Sequence, residues 1–444
     1  MINISPELIT VIMLGGVFLG VLTGFPLAVP IGGMAIIMGF LLYGTPSFHL
    51  IYSRVYSMLT NYTLLAVPCF VFMGGMLEKS GIASRMYDAL YLWLGGLRGG
   101  LAIVTILLGT VLAACVGVIA ASITMLALVG LPAMLNRGYD KGLASGAVIA
   151  GGCLGILIPP SIMLIIYGPM AMISVGQLFM AAFMPGFLLS ALYMAYVATH
   201  CALNPRLGPP IPVAERAVPL VVKTKLLVTS LLPTALLILA VLGVIFLGIA
   251  APTEASASGA LVAVLLAAAY RKLNLKVLYG TALDTLRLTG MILLIGSCAS
   301  AFVGIFLSAG CGRVVEQMIL SAPGGRWGSF AVVMLVIFLL GFFIDWIGIL
   351  FIVVPIISPL AATLGFSPLW FAMMICINLQ SSFMTPPFAQ GIFFLRGSAS
   401  PEWGLTMADI IRGVMPFVVL VLVALVLCVI FPSIITWLPS MMIR

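Results

Sequence analysis

Asn378, Gln380, Ser381, Ser382 and Thr385 fall within eight residues of an apolar segment, directly before the proline pair Pro386-Pro387. Small polar side chains at that density, with no Lys, Arg or Glu among them, suit coordination of a hard cation by oxygen atoms that replace water. A second pair, Pro159-Pro160, stands in the run GILIPPSIM, with Gly152 and Gly155 before it and Ser161 after it. Proline removes a backbone donor and its ring breaks the helical hydrogen-bond ladder. A helix stopped this way exposes carbonyls with negative partial charge, and the next half-helix begins with free, positive N–H groups. One end suits a cation and the other an anion. The carbonyls of Gly152, Gly155 and Ile158 and the hydroxyl of Ser161 are therefore candidate ligands, with Ser122 and Thr124 on a facing segment.

Asp345 faces the second cluster and is the only charged residue between Arg326 and Arg396. A carboxylate at membrane depth is costly and is kept for ions, protons or a buried partner. The competing reading is a residue that orients its own turn, or one nearer the interface. Glu254, in the APTEAS turn, reads as an interfacial cap, and Trp346, Trp403 and Trp437 near helix ends read as aromatic anchors.

The elements that must position these residues are membrane helices. Hydrophobic residues make up 63% of the 444, charged residues 7%, and mean hydropathy is +1.32, which no soluble domain of this size carries on its surface. About twenty apolar residues make one span, leaving room for about a dozen spans or half-spans. Complete spans are expected at 8–25, 27–43, 61–77, 178–203, 226–250, 255–270, 288–310 and 413–437. Spans interrupted by the proline pairs are expected at 142–175 and 367–395. The first apolar run follows Glu7 and lacks a small-residue cleavage pattern, so it reads as a retained anchor. Each proline pair could instead mark a tight turn between two complete helices. The polar cluster before Pro386 argues against that reading, because a surface turn needs no such residues.

Two further stretches, 101–135 and 328–364, are each long enough for two short helices and carry Gly117, or Asp345 with Gly348, near the middle. They read as re-entrant hairpins, although a tight pair of complete spans would also return the chain to the same side. With the N-terminus outside, only Arg54, Arg313, Arg326 and Arg444 of the 19 Lys and Arg fall outside. That bias sets the orientation and accounts for the net charge of +8 without nucleic acid. Twenty-seven residues separate Pro132 from Pro159, and again Pro359 from Pro386. With the two hairpins entering from opposite sides, this is the pattern of an inverted repeat. The fold class expected is an all-α polytopic membrane protein, an inverted repeat with two re-entrant helical hairpins and two broken helices. Its parts are N-terminal scaffold helices and an interfacial segment at 1–100, a first repeat part at 101–203, scaffold helices and linkers at 204–325, a second repeat part at 326–396 and a C-terminal helix at 397–444.

Eight cysteines are scattered singly without metal-ligand spacing, and His49 and His200 are too few for a histidine-built centre. No GxxxxGK[ST] phosphate loop is present, so the driving force expected is an ion gradient. An intramembrane enzyme built on Asp345 would need a second carboxylate or a histidine at membrane depth, and none is evident.

The runs RGYDKGLASGAVIAGGCLGILIPPSIMLIIYG from Arg137, PTEASA from Pro252, FFIDWIGILFIVVPIISPL and NLQSSFMTPPFAQGIFFLRG from Asn378 resemble the large membrane subunit of tripartite ATP-independent periplasmic (TRAP) transporters. The resemblance spans nearly the whole chain. It implies an elevator-type, sodium-driven importer of organic acids in the bacterial inner membrane, whose two repeat parts form the transport domain, with two or more transported Na+ ions and no organic cofactor. It also implies a small four-helix membrane subunit forming a heterodimer and a periplasmic substrate-binding protein as partners. By motif, the substrate would meet Gly117, Val118, Ser122, Ser161, Asp345, Gln380 and Pro387. Sodium would meet Ser122, Gly152, Gly155, Ile158, Asp345, Asn378, Ser381, Ser382 and Thr385. The chain departs from the pattern in its first hairpin, which reads CVGVIAAS from Cys115, and at Gln380 and Ser382, where many members carry glutamate and glycine. The NLQSSFMTPPF wording resembles a subgroup associated with 2-oxo acids, lactate and other small carboxylates. A stand-alone carboxylate exchanger acting as a homodimer is the second reading.

Overall fold

Prolines and glycines decide where each apolar run stops folding as helix. The computed structural model describes residues 4–212, 215 and 218–442, which are helical with no strand among them; Arg444 lies outside the described residues. Among the described residues six helices are long and apolar enough to cross a membrane: Tyr62–Lys79, Val175–Leu203, Leu220–Phe246, Pro252–Ala269, Leu275–Ser308 and Met407–Ile430. Shorter apolar helices include Pro6–Leu22 and Ala28–Tyr43. Glu254 caps the exposed start of Pro252–Ala269, its carboxylate accepting the Ala251 N–H at 3.3 Å.

The stretch expected as the first hairpin is two helices, Gly100–Val116 and Ile119–Leu135, joined by Gly117 and Val118. Gly117 sits at φ +65, where only glycine is free of strain. Its arms touch through Gly130, where an added Cβ would lie 2.7 Å from Thr105 Oγ1. The first arm is enclosed by protein, with every residue but Leu107 and Val111 buried. The second hairpin is looser. Gly325–Leu340 buries only Ser329, Phe330, Val333 and Ile337, and Trp346–Ile357 leaves it to pack on other helices.

Both proline pairs interrupt helices. Lys141–Cys153 tightens into a 3-10 turn at Leu154–Ile156, passes the cis pair Pro159-Pro160, and resumes as Ile162–Ala171 capped by Ser161. Pro368–Ser382 passes the cis pair Pro386-Pro387 and resumes as Gln390–Ser398. The pieces are laced crosswise. The second arm of the first hairpin packs on Gln390–Ser398, and the second arm of the second hairpin packs on Ile162–Ala171. Ser398 Oγ donates to Thr124 Oγ1 at 3.1 Å across that first contact.

Three amphipathic helices lie between the expected spans: Pro46–Leu59, Ile82–Leu94 and Cys311–Leu320. The last two occupy matching places. Each follows a left-handed glycine (Gly81, Gly310) and is separated by another (Gly99, Gly324) from the hairpin that comes next. The helix expected at 288–310 is 34 residues long, Leu275–Ser308, because its polar N-terminal turns continue the same ladder from the Asn274 cap. The run expected at 413–437 divides into Met407–Ile430 and Ser433–Ser440 at Pro432, whose preceding residue leaves helical geometry at φ −120, ψ 76.

Candidate functional site

The two hairpin turns meet. Gly117, Val118, Ile119 and Ala120 from the first and Asp345, Trp346 and Ile347 from the second line one cavity of about 100 Å³, with Ile162 and Gln390 from the two resumed half-helices. The wall opposite is Leu288, Met291 and Ile292 of the long helix Leu275–Ser308. Elements more than two hundred residues apart in sequence thus present their turns and helix N-termini to a single space.

Asp345 is the N-cap residue of Trp346–Ile357 and is partly exposed to this cavity. Gln390 Nε2 donates to its Oδ1 at 2.6 Å. The amide orients the carboxyl group and brings no charge of its own to the junction. Trp346, expected as an interfacial anchor, instead lines the cavity beside it. Gln390 was not among the sequence candidates. Its position three residues after a proline pair, at the start of a half-helix, is the signal that could have found it.

On the first side, every residue from Leu143 to Gly168 is buried, so the break at Pro159-Pro160 lies inside protein. A surface turn between complete helices would leave its prolines exposed. Gly117 closes on this break, since a Cβ there would lie 3.0 Å from the Pro160 carbonyl oxygen. Ser122 Oγ is buried without a hydrogen-bond partner. It lies over Gly155, where an added Cβ would come within 2.6 Å of it. Ser161 Oγ donates to the Ile156 carbonyl. No backbone N–H donates to the Ile158 carbonyl, whereas the Gly152 carbonyl accepts from Leu154 N–H. Gly152 also packs its Cα face against Ile123.

On the second side, Ser381 Oγ donates to the Asn378 carbonyl at 2.6 Å, Ser382 Oγ to that of Leu379 at 2.7 Å, and Thr385 Oγ1 to that of Ser381 at 2.7 Å. Each proton is committed to the helix, so the lone pairs are what these hydroxyls present to a neighbour. That suits a cation. Asn378 Nδ2 donates to the Met334 carbonyl at 2.7 Å and ties the broken helix to the second hairpin. Gln380 Nε2 is buried and has no partner. Pro387 is exposed. Ser382 meets Gly341, where an added Cβ would lie 2.2 Å from the serine Cβ. Gly155 and Ser382 each stand four residues before the first proline of their pair, and each takes part in a glycine–serine contact with its own hairpin.

The structure therefore brings Gly117, Val118 and Asp345 to one cavity, and Ser122, Gly155 and Ser161 to one buried junction. Asn378, Gln380, Ser381, Ser382 and Thr385 form the second junction. Among the described residues no group of three His, Cys, Asp or Glu side chains could hold a metal ion, so any cation here would rest on neutral oxygens with at most one carboxylate.

Comparison with known proteins gives the same architecture a family. Residues 14–434 match the family model described as "Tripartite ATP-independent periplasmic transporter, DctM component". The chain is 28% identical to the C4-dicarboxylate TRAP transporter large permease protein DctM of Pseudomonas aeruginosa, covering 92% of this chain and 93% of that protein. It is also 28% identical to the ectoine/5-hydroxyectoine TRAP transporter large permease protein UehC of Ruegeria pomeroyi, over 93% of this chain and 94% of that one. The sialic acid TRAP transporter permease protein SiaT of Haemophilus influenzae is 28% identical over 88% of this chain and 61% of its own length. The YdaH transporter of Alcanivorax borkumensis shares the fold, with a TM-score of 0.64 at 16% identity over 94% of this chain and 98% of that one.

Proposed function

The chain belongs to the tripartite ATP-independent periplasmic transporter family as its DctM component, a multi-pass permease subunit and not an enzyme, and from that premise we propose that it couples sodium entry to uptake of small carboxylates. The observation that carries this reading is the convergence of two hairpin turns and two resumed half-helices on one cavity beside Asp345. Helix N-termini offer N–H groups to a carboxylate. The hydroxyls at the second break, which donate into their own helix and keep lone pairs free, and the unpartnered Ser122 hydroxyl beside the first break offer oxygens to sodium.

The first sodium site is proposed at Ser122, Gly152, Gly155 and Ile158. The second is proposed at Asn378, Ser381, Ser382, Thr385 and Asp345. Substrate is proposed to touch Gly117, Val118, Ser122, Ser161, Asp345, Gln380 and Pro387, with Gln390 orienting the carboxylate of Asp345. Each net positive charge moved inward yields about 2.3 kcal/mol per 100 mV, so two sodium ions with one monocarboxylate make uptake favourable against a gradient.

Crosswise packing of hairpins on broken helices supports treating them as one moving body, which slides as an elevator against the scaffold helices. The recurrence of amphipathic helix, hairpin, broken helix and long helix supports an inverted repeat. Positive-inside bias supports a periplasmic N-terminus in a bacterial inner membrane. Partners in this reading are a small four-helix membrane subunit and a periplasmic binding protein. Reconstitution of the chain with and without these two proteins tests it: uptake requires both. Uptake by the chain alone would instead support a stand-alone exchanger.

A further inference from the structure

A second cavity, of about 280 Å³, lies beside the first and shares Val118, Ala120 and Leu288 with it as lining. Its walls carry Glu78 and Lys79 from Tyr62–Lys79, Thr281, Asp284 and Thr285 from Leu275–Ser308, and Thr124 from the first hairpin. Lys79 Nζ pairs with Asp284 Oδ2 at 2.9 Å. Glu78 makes no ion pair, so the group carries one net negative charge. Every polar side chain present other than the lysine offers oxygen, and none offers sulfur or imidazole.

Thr281 is the telling residue. Several helical threonines return their hydroxyl proton to the carbonyl four residues back, as Thr110, Thr224, Thr229 and Thr285 do. Thr281 does not, although it is only 1% exposed, and its Oγ1 has no partner. A buried hydroxyl left unpaired is destabilising unless something fills the place. Thr289, two turns along the same face, is likewise buried and unpartnered. Thr281, Thr285 and Thr289 thus form a row with steps of about 6 Å, running from the charged mouth towards the hairpin turns.

We infer that this vestibule is a separate binding station for a partly hydrated monovalent alkali cation, held by the Glu78 carboxylate and the Thr281 hydroxyl between the hairpin turns and the side that charge placement assigns to the cytoplasm. The volume exceeds that of a bare ion, so the cation keeps part of its water there. The station lies outside the residues proposed for the coupling site, and the inference rests on sodium being the coupling ion.

Thermal melting of the purified full-length protein, titrated with sodium chloride against choline chloride at constant ionic strength, tests it. In the D345A background a sodium-specific rise in Tm persists. Adding E78Q or the near-isosteric T281V then raises the sodium concentration for half-maximal shift about tenfold, whereas T281S restores it. Either of two results overturns the inference: a D345A protein with no sodium response left, or E78Q and T281V proteins that respond as their parent does. Failure of the coupling reading looks different, as a sodium-stabilised wild-type protein whose uptake ignores the sodium gradient.

Discussion

At the scale of single residues, the proposed ion sites rest on three hydroxyls whose protons are already committed and on one, Ser122, that has no partner. Ser381, Ser382 and Thr385 donate into their own helix, and Ser122 is held over Gly155 by the absence of a side chain there. Gly155→Ala places a methyl group 2.6 Å from Ser122 Oγ and must push the hydroxyl away. The expected outcome is a rise of about tenfold in the sodium concentration for half-maximal uptake, with Tm changed by a few degrees at most. An unchanged sodium requirement would remove Ser122 from the ion site. The candidate oxygens were legible in the sequence because polar residues are conspicuous in apolar runs. Gln390 was not, because nothing in the sequence shows that a residue 45 positions after Asp345 reaches back to it. Thr281 escaped for another reason: threonine is ordinary in membrane helices, and only the folded chain shows that this one lacks a partner.

At the scale of elements, the proline pairs and left-handed glycines set the architecture, and both were readable from local rules. What local rules missed is amphipathic. Ile82–Leu94 carries Arg85 and Asp88 on one face while burying Ile82, Met86 and Leu90 on the other, so a hydropathy window passes over it. The burial of Leu143–Gly168 makes a sharp labelling prediction. In a cysteine-free background, I162C, which lines the cavity, reacts with a soluble thiol reagent and is protected by sodium with substrate, whereas L164C and I165C stay unreactive. Uniform reactivity across the break would indicate a plain surface turn.

Outside the membrane segments, Glu215 in the linker after the first repeat accepts from Arg137 and from Tyr91 Oη. These hydrogen bonds hold its carboxyl below the usual glutamate range. Its contribution is therefore present above the ordinary glutamate pKa and is lost as pH falls through the lowered value. Melting curves should show E215Q less stable than wild type at neutral pH and equal to it in strong acid. The difference should be small and should shrink in high salt, because the pair is exposed.

For the whole molecule, the proposed elevator movement depends on whether two sets of helices move as bodies. The first arm of the first hairpin is enclosed by protein while the first arm of the second is largely exposed, so the two halves are alike in element order but unequal in surroundings. Inequality of this kind was invisible in the proline spacing, which treats the halves as equivalent. The central claim is that the cavity beside Asp345 joins sodium to substrate movement. Its most direct test is carboxylate uptake into liposomes carrying the chain and its two partner proteins, with an imposed sodium gradient, for wild type and D345A. Loss of a charge-assisted contact costs about 1.5–3 kcal/mol. The account predicts wild-type uptake that collapses with the gradient, and D345A uptake at least about tenfold slower at equal sodium. Wild-type uptake indifferent to sodium, or a correctly folded D345A protein with the full sodium response, would contradict it.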